Sequence, residues 1–216
     1  TLEANGERVG AEALRERLNL GDRKVVFAAL QRPNDTATVH FAGACGDAEG
    51  FNAWLSYLAE TLDPAEYAIV AKKHPLEEAK PDISNVEFVD GQTHVMDLIN
   101  LAEVVVVINS GVGLLALSQG KPVVCCGDAY YAHLGLATPV NSQEALVAAV
   151  RSPACPDDEK RLRFFNYLIH EFYSFGKAKY VARKIQKPGL NRQVRDIRFS
   201  VVRGLTPKEI QLGRPA

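Results

Sequence analysis

The chain has no apolar run near the roughly 20 residues that a membrane-crossing helix needs; its longest, Val104 to Ile108, has the length of a strand. Nothing at its start resembles a secretory signal. It opens with Thr1 rather than Met, so the expectation is that the true N-terminus is missing or processed. Cysteine is scarce: Cys45, Cys125, Cys126 and Cys155 show no C-x-x-C spacing, and the adjacent Cys125 and Cys126 do not easily bridge each other. Thiolate zinc sites and disulfide scaffolds are thereby excluded, and a reduced cytosolic setting is expected. His40, His94, His133 and His170 lack metal-ligand spacing, and no D-x-D pair is available to chelate a divalent metal with a nucleotide sugar. Internal repeats and low-complexity blocks are also absent.

What is present is 216 residues, 47% hydrophobic and 24% charged, enough for one large domain or one domain plus an appendage. The net charge of −1 conceals an asymmetry. From Glu159 to the end there are 14 Lys and Arg against 4 Asp and Glu, whereas the preceding 158 residues hold 11 against 22. A basic tail on an acidic body meets phosphate, an anionic membrane surface, or an acidic face of its own protein.

Along the body, two periodicities alternate. Lys24 to Ala29 (KVVFAA) is an apolar run bounded by turn residues, which predicts a buried strand. Asp47 to Leu62 sets Phe51, Trp54, Leu55, Leu58 and Leu62 on one helical face. Strands are predicted at 67–71, 86–89, 103–108 and 122–126. Helices are predicted at 93–102, at 114–118 with Gly120 as its C′ residue, and at 141–151 with Asn141 and Glu144 spaced like a capping box. Such alternation builds an α/β fold: a doubly wound, mostly parallel sheet with helices on both faces. Ligands of these sheets lie past the C-terminal strand ends, near the switch in strand order. Residues 157–185 carry a helical stripe (Leu162, Phe165, Leu168, Ile169, Phe172, Tyr173) among basic residues that include Lys177, Lys179, Arg183 and Lys184. Beyond Lys187 an extended tail is expected.

Four post-strand loops hold chemistry-bearing residues. In Asn109-Ser110-Gly111-Val112-Gly113, between the strongest strand and a helix, free N–H groups and a serine hydroxyl meet a ligand while small glycines let a phosphate approach. The plain alternative is a serine cap with packing glycines. The same stretch satisfies G-x-G-x-x-A, but after a late strand rather than the first, so the match to a dinucleotide fingerprint is accidental. In Lys72-Lys73-His74-Pro75 the proline fixes where His74 points, and His74 beside Lys73 suits a phosphate and a departing group; a solvated turn is the alternative. Gln31-Arg32-Pro33-Asn34-Asp35 puts a carboxylate, Asp35, over the sheet edge, or else forms an Asx turn. Gly127-Asp128-Ala129-Tyr130-Tyr131 offers Tyr130 to a ligand or to aromatic packing. Glu77-Glu78 reads as a solvated face.

Taken in order, Gln31 and Asp35, Lys73-His74-Pro75, I-N-S-G-V-G-x-x-A-L at 108–117, G-K-P-V at 120–123 and G-D-A-Y-Y at 127–131 resemble the capsule-polysaccharide biosynthesis family, which includes the bacterial β-Kdo transferases. That family is similar in design to the bacterial sialyltransferases. The resemblance covers residues 24–137 and implies the Rossmann-like donor-binding half of a GT-B glycosyltransferase. It implies CMP-Kdo as donor, no cofactor and no metal, and transfer with retention in capsule or lipopolysaccharide assembly. His74 and Ser110 then hold the CMP phosphate, and His74 helps CMP depart. Asp35, matching a Gln-x-x-x-Asp loop, is the carboxylate that traps an oxocarbenium-like centre, with Gln31, Lys73, Asn109, Gly111, Val112, Gly113 and Tyr130 as binding residues.

The expected organisation is a linker or N-terminal remnant at 1–23, the donor domain at 24–156, and a basic helical segment and tail at 157–216. Expected partners are CMP-Kdo, an anionic glycan or glycolipid acceptor, a missing N-terminal acceptor domain or partner chain, and the inner membrane peripherally through the basic segment. Nucleic acid is not among them, and the setting is cytoplasmic. Alternatives are a non-catalytic nucleotide-sugar-binding half that needs a partner, a UDP- or CDP-dependent GT-B enzyme or phosphotransferase, and, as an outsider, an NAD-dependent oxidoreductase.

Overall fold

The structure is a computed structural model. It describes residues 6–133 and 135–173 in full, and the strands at 176–183, 193–203 and 206–211 by their backbone. The chain divides into two compact units, Thr1–Leu162 and Arg163–Ala216.

The first unit is built on a six-stranded parallel sheet. Its strands are β1 (Lys24–Ala29), β2 (Tyr67–Lys72), β3 (Val86–Phe88), β4 (Val104–Val107), β5 (Val123–Cys125) and β6 (Thr138–Pro139), in the spatial order β3-β2-β1-β4-β5-β6. β1 pairs on one side with β2 and on the other with β4, so the strand order reverses at β1. Burial on both faces explains why β1, β2 and β4 read as continuous apolar runs rather than alternating ones. On one face Val26, Ala28, Ile69 and Val106 pack against α3 (Ala48–Thr61) and α6 (Gln143–Arg151). The other face carries α1 (Ala11–Arg17), α4 (Val95–Leu101) and α5 (Gly111–Ser118). Between β1 and α3 the chain forms α2 (Thr36–Phe41) and a 3-10 turn, Gly43–Cys45.

Side-chain caps begin two of the helices on the α3/α6 face. Asp47 accepts from the Gly50 amide at 2.7 Å and caps α3. Ser142, not Asn141, caps α6 by accepting from the Ala145 amide at 3.2 Å. At the end of α5, Gly120 takes a φ of +72°, its amide donates to the Leu117 carbonyl, and the Lys121 amide donates to the Ala116 carbonyl. These two bonds complete the Schellman stop that the glycine predicted.

Two boundaries differ from the sequence reading. Residues 6–23 are no linker: Leu14 and Leu20 are buried, and α1 packs on α4. The fastening is Asp97, fully buried on α4, which accepts from the Val9 and Gly10 amides at 2.8 and 3.1 Å and from Arg8 Nε at 3.0 Å. Burial works to raise the Asp97 pKa, but Arg8 and the two amides prevail and hold it below the usual carboxylate range. Asp97→Ala strips three partners at once, so a loss of about 2 kcal/mol is expected in urea unfolding. For the wild type this contribution is present above the ordinary carboxylate pKa and is lost as pH falls through the depressed one.

The second difference lies at the C-terminal end. The helical reading holds for α7 (Asp158–Tyr167) and a π-helical turn, Leu168–Phe172. After it come strands, β7 (Gly176–Arg183), β8 (Gln193–Arg203) and β9 (Thr206–Gln211), in an antiparallel sheet of order β7-β8-β9. The pattern explains it: Ile197, Phe199 and Val201 alternate with Arg198 and Ser200, a period of two that suits a strand. Lys184, Lys187 and the rest of 184–192, with 1–5 and 212–216, lie outside the described residues. Among the described residues no helix is long and apolar enough to cross a membrane.

Candidate active site at the switch point

The C-terminal ends of β1, β2 and β4 open into a cavity of about 490 Å³ on the α4/α5 face. Its apolar walls include Phe27, Leu76, Val95 and Leu115. Its polar groups are Lys72, Lys73 and His74 from the end of β2, with Ser110 and Gly111 at the start of α5. This is where strand order reverses, the place a doubly wound sheet offers to a ligand.

Ser110 is the N-cap of α5: its Oγ accepts from the Val112 amide at 3.2 Å. The hydroxyl therefore lies among first-turn amides that have no intrahelical acceptor. A Cβ on Gly111 would meet nothing within 4 Å, so a ligand can approach the backbone there. Gly113 differs: a Cβ on it would overlap the Tyr131 hydroxyl. Tyr131 is fully buried and donates to the Ser110 carbonyl, bracing the turn from behind. Gly113 is thus a packing glycine.

His74 is held by the chain that follows it. The Leu76 amide donates to His74 Nδ1 at 3.1 Å, so the neutral ring carries its proton on Nε2. Burial and the neighbouring Arg32 charge together lower its pKa, against the opposing pull of Glu77 and Asp35. The lowered pKa favours the uncharged ring, which offers Nε2–H as a donor. Imidazole ¹⁵N NMR should give a titration midpoint below the ordinary value of about 6.5 and a protonated Nε2. Because the folded pKa lies below the unfolded one, stability is lost as pH falls through that window, a dependence that His74→Gln lacks.

The sequence does not single out Lys72, which reads there as part of a surface turn. It is the last residue of β2, paired with Ala29, and is only 7% exposed. Its Nζ donates to the Thr93 carbonyl at 2.5 Å; burial lowers its pKa and Asp90 opposes that. Strand parity is the available signal: Lys72 stands two residues beyond Val70, on the sheet face that carries Phe27 and Ala29.

Val112 lines the cavity as well, whereas Gln31, Asn109, Asp35 and Tyr130 lie around it. Gln31 and Asn109 bond to each other: Gln31 Nε2 donates to Asn109 Oδ1 at 2.8 Å, and the Asn109 amide donates to Gln31 Oε1 at 2.9 Å. Asn109 Nδ2 also donates to the Ala37 and Phe41 carbonyls. This pair ties β1 to β4 and to α2, a positioning role. Asp35 is exposed and caps α2, its Oδ1 accepting from the Ala37 amide at 3.1 Å, and its charge reaches His74. Tyr130 is half exposed, with its ring edge-on to Tyr131 at 5.4 Å. Glu77 is no solvated face: it pairs with Arg32. A second, smaller cavity of about 80 Å³ opens on the α3 side and shares Leu30, Lys73 and His74 with the first. Among the described residues no three His, Cys, Asp or Glu side chains gather where a metal ion could be held.

Comparison with known proteins adds to this geometry. The chain is 32% identical to Protein FixF of Sinorhizobium fredii (strain NBRC 101917 / NGR234) over 149 residues, covering 66% of this chain and 36% of FixF. It therefore spans about a third of the length of that relative. Two solved structures of KpsC from Thermosulfurimonas dismutans are similar. The β-Kdo 2,4 transferase is 22% identical with a TM-score of 0.46, over 57% of this chain and 40% of that one. The β-Kdo 2,7 transferase is 25% identical with a TM-score of 0.44, over 65% and 50%. A family model described as capsule polysaccharide biosynthesis protein matches residues 2–177, the whole parallel-sheet unit and α7, and the chain belongs to that family.

Proposed function

We propose that this chain is the donor-binding half of a GT-B glycosyltransferase that binds CMP-Kdo and transfers Kdo, with retention, to a glycan or glycolipid in capsule or lipopolysaccharide assembly. The observation that carries this reading is the meeting, in one cavity at the switch point, of Ser110 and the α5 N-terminus with Lys72, Lys73 and His74. A single phosphate suits that set. The first-turn amides and the Ser110 hydroxyl take its oxygens, Lys72 supplies a buried positive charge, and the His74 Nε2–H stabilises the oxygen that leaves with CMP. One phosphate neutralised in this way calls for no metal. The apolar walls take the nucleoside. Asp35, on the neighbouring turn, is the carboxylate that traps the sugar's anomeric carbon. The acceptor, with the domain or partner chain that binds it, completes the reaction, and the basic C-terminal segment contacts the inner membrane peripherally.

A second reading, a non-catalytic nucleotide-sugar-binding half, is favoured by one observation: Asp35 is already engaged as a helix cap. Thermal unfolding with added nucleotides tests the donor. CMP at about 100 times its Kd should stabilise the fold by about 2.7 kcal/mol, while UDP and NAD at the same concentration leave it unchanged. Stabilisation by UDP or NAD in place of CMP would overturn the reading.

A further inference from the structure

We infer that Arg32 recognises a carboxylate on the donor sugar, and that Glu77 occupies its place until that sugar arrives. This rests on the CMP-sugar reading above and adds a subsite to it. Arg32, in the loop after β1, donates through Nε to Glu77 Oε1, in the loop after β2, at 2.8 Å. The terminal nitrogens of the guanidinium make no hydrogen bond among the described residues. Glu77 thus engages only one donor of the fork, and a carboxylate that replaced it could take Nε and a terminal nitrogen by two parallel bonds. Both side chains are partly exposed, 40% and 32%, so the pair contributes little to stability and separates easily.

The surroundings select the ligand. The Asp35 amide donates to the Arg32 carbonyl at 3.2 Å, so the two residues share one turn, and Glu77 lines the smaller cavity together with His74 and Gln31. Lys73 is turned toward the Glu77 carbonyl. A 2-ulosonic sugar joined to CMP bears its carboxylate on the carbon that holds the phosphate. With the phosphate at Ser110 and His74, that carboxylate enters the space that Glu77 lines, next to the turn that carries Arg32 and Asp35. Two like charges would repel it unless Arg32 turned to meet it. The Glu77 carboxylate already on Arg32 marks where a carboxylate fits, and the sugar displaces it.

Calorimetric titration of the 216-residue chain and its Arg32→Gln and Glu77→Gln variants, with CMP and with CMP-Kdo, tests this. Near neutral pH the CMP phosphate carries about −1.5 to −2 charges, and CMP-Kdo carries a similar total divided between phosphodiester and carboxylate. A general electrostatic role for Arg32 therefore affects both ligands alike, whereas a carboxylate subsite separates them. Arg32→Gln should weaken CMP-Kdo about tenfold or more and CMP less than about threefold, at unchanged melting temperature, as expected for loss of one charge-assisted bidentate contact. Glu77→Gln should tighten CMP-Kdo and leave CMP unchanged. Equal weakening of both ligands by Arg32→Gln, or none of CMP-Kdo, overturns the subsite while the nucleotide reading stands. A wild-type chain that binds neither ligand overturns both.

Discussion

Asp35→Asn is expected to lower Kdo transfer by about 10³-fold or more while leaving the fold and donor binding intact. The choice of asparagine matters. Asp35 caps α2 through its bond with the Ala37 amide, and asparagine is as good a cap as aspartate. Alanine would instead cost about 1 kcal/mol of helix stability and confuse a lost cap with a lost nucleophile. A carboxamide still accepts the Ala37 amide proton through its oxygen, but it is too weak a nucleophile to trap an oxocarbenium-like carbon. The observed cap role of Asp35 and its proposed nucleophilic role therefore part in this variant. Transfer from CMP-Kdo, assayed in the presence of the acceptor domain or partner chain that the proposal requires, is the measurement. Full transfer by Asp35→Asn would move the chemistry elsewhere and leave this domain as a binding module.

The second large effect concerns the turn beneath the proposed phosphate site. Gly113→Ala places a methyl group against the Tyr131 hydroxyl, with two ring carbons of that tyrosine 3.0 Å from the ideal Cβ. Tyr131 cannot yield without losing its bond to the Ser110 carbonyl and leaving a buried hydroxyl unpaired. The expected cost is about 2 to 4 kcal/mol, or roughly 5–15 °C in melting temperature for a domain of this size. Tyr131→Phe removes the nearest clashing atom, so the double variant should be less destabilised than the sum of the two singles. Additive losses would show that the glycine and the tyrosine act separately. A Gly113→Ala variant of normal stability that had lost CMP binding would restore the reading in which this glycine admits the phosphate.

Most of the sheet was legible because it is buried on both faces. KVVFAA, YAIVAK and the VVVV of β4 leave no ambiguity of face, and the loops that follow them had to carry the site. What pattern reading missed in the first unit was short or held by tertiary contacts. β6 is two residues long. α1 has seven residues and is anchored by a carboxylate 87 positions away in sequence from Gly10. α2 hangs on an Asx cap that looks like any turn former.

At the site, sequence identified the loops better than the roles within them. Ser110 and His74 line the cavity, but nothing in the local pattern says that Gln31 bonds Asn109 or that Asn109 reaches the Ala37 and Phe41 carbonyls. Neither does it distinguish Tyr131, buried behind Ser110, from the half-exposed Tyr130. Those distinctions depend on which strand lies beside which, and β1 beside β4 brings together Gln31 and Asn109 from 78 positions apart.

The most direct test of the account is a calorimetric titration of the wild-type chain, Ser110→Ala and His74→Ala with CMP. CMP should bind, and each substitution should weaken that binding by roughly 1–3 kcal/mol, the loss of a hydrogen bond to a charged group. Binding indifferent to both substitutions, or absent from the wild type, would contradict it: Ser110 would then be a helix cap, and His74 a residue of a turn, with no phosphate between them.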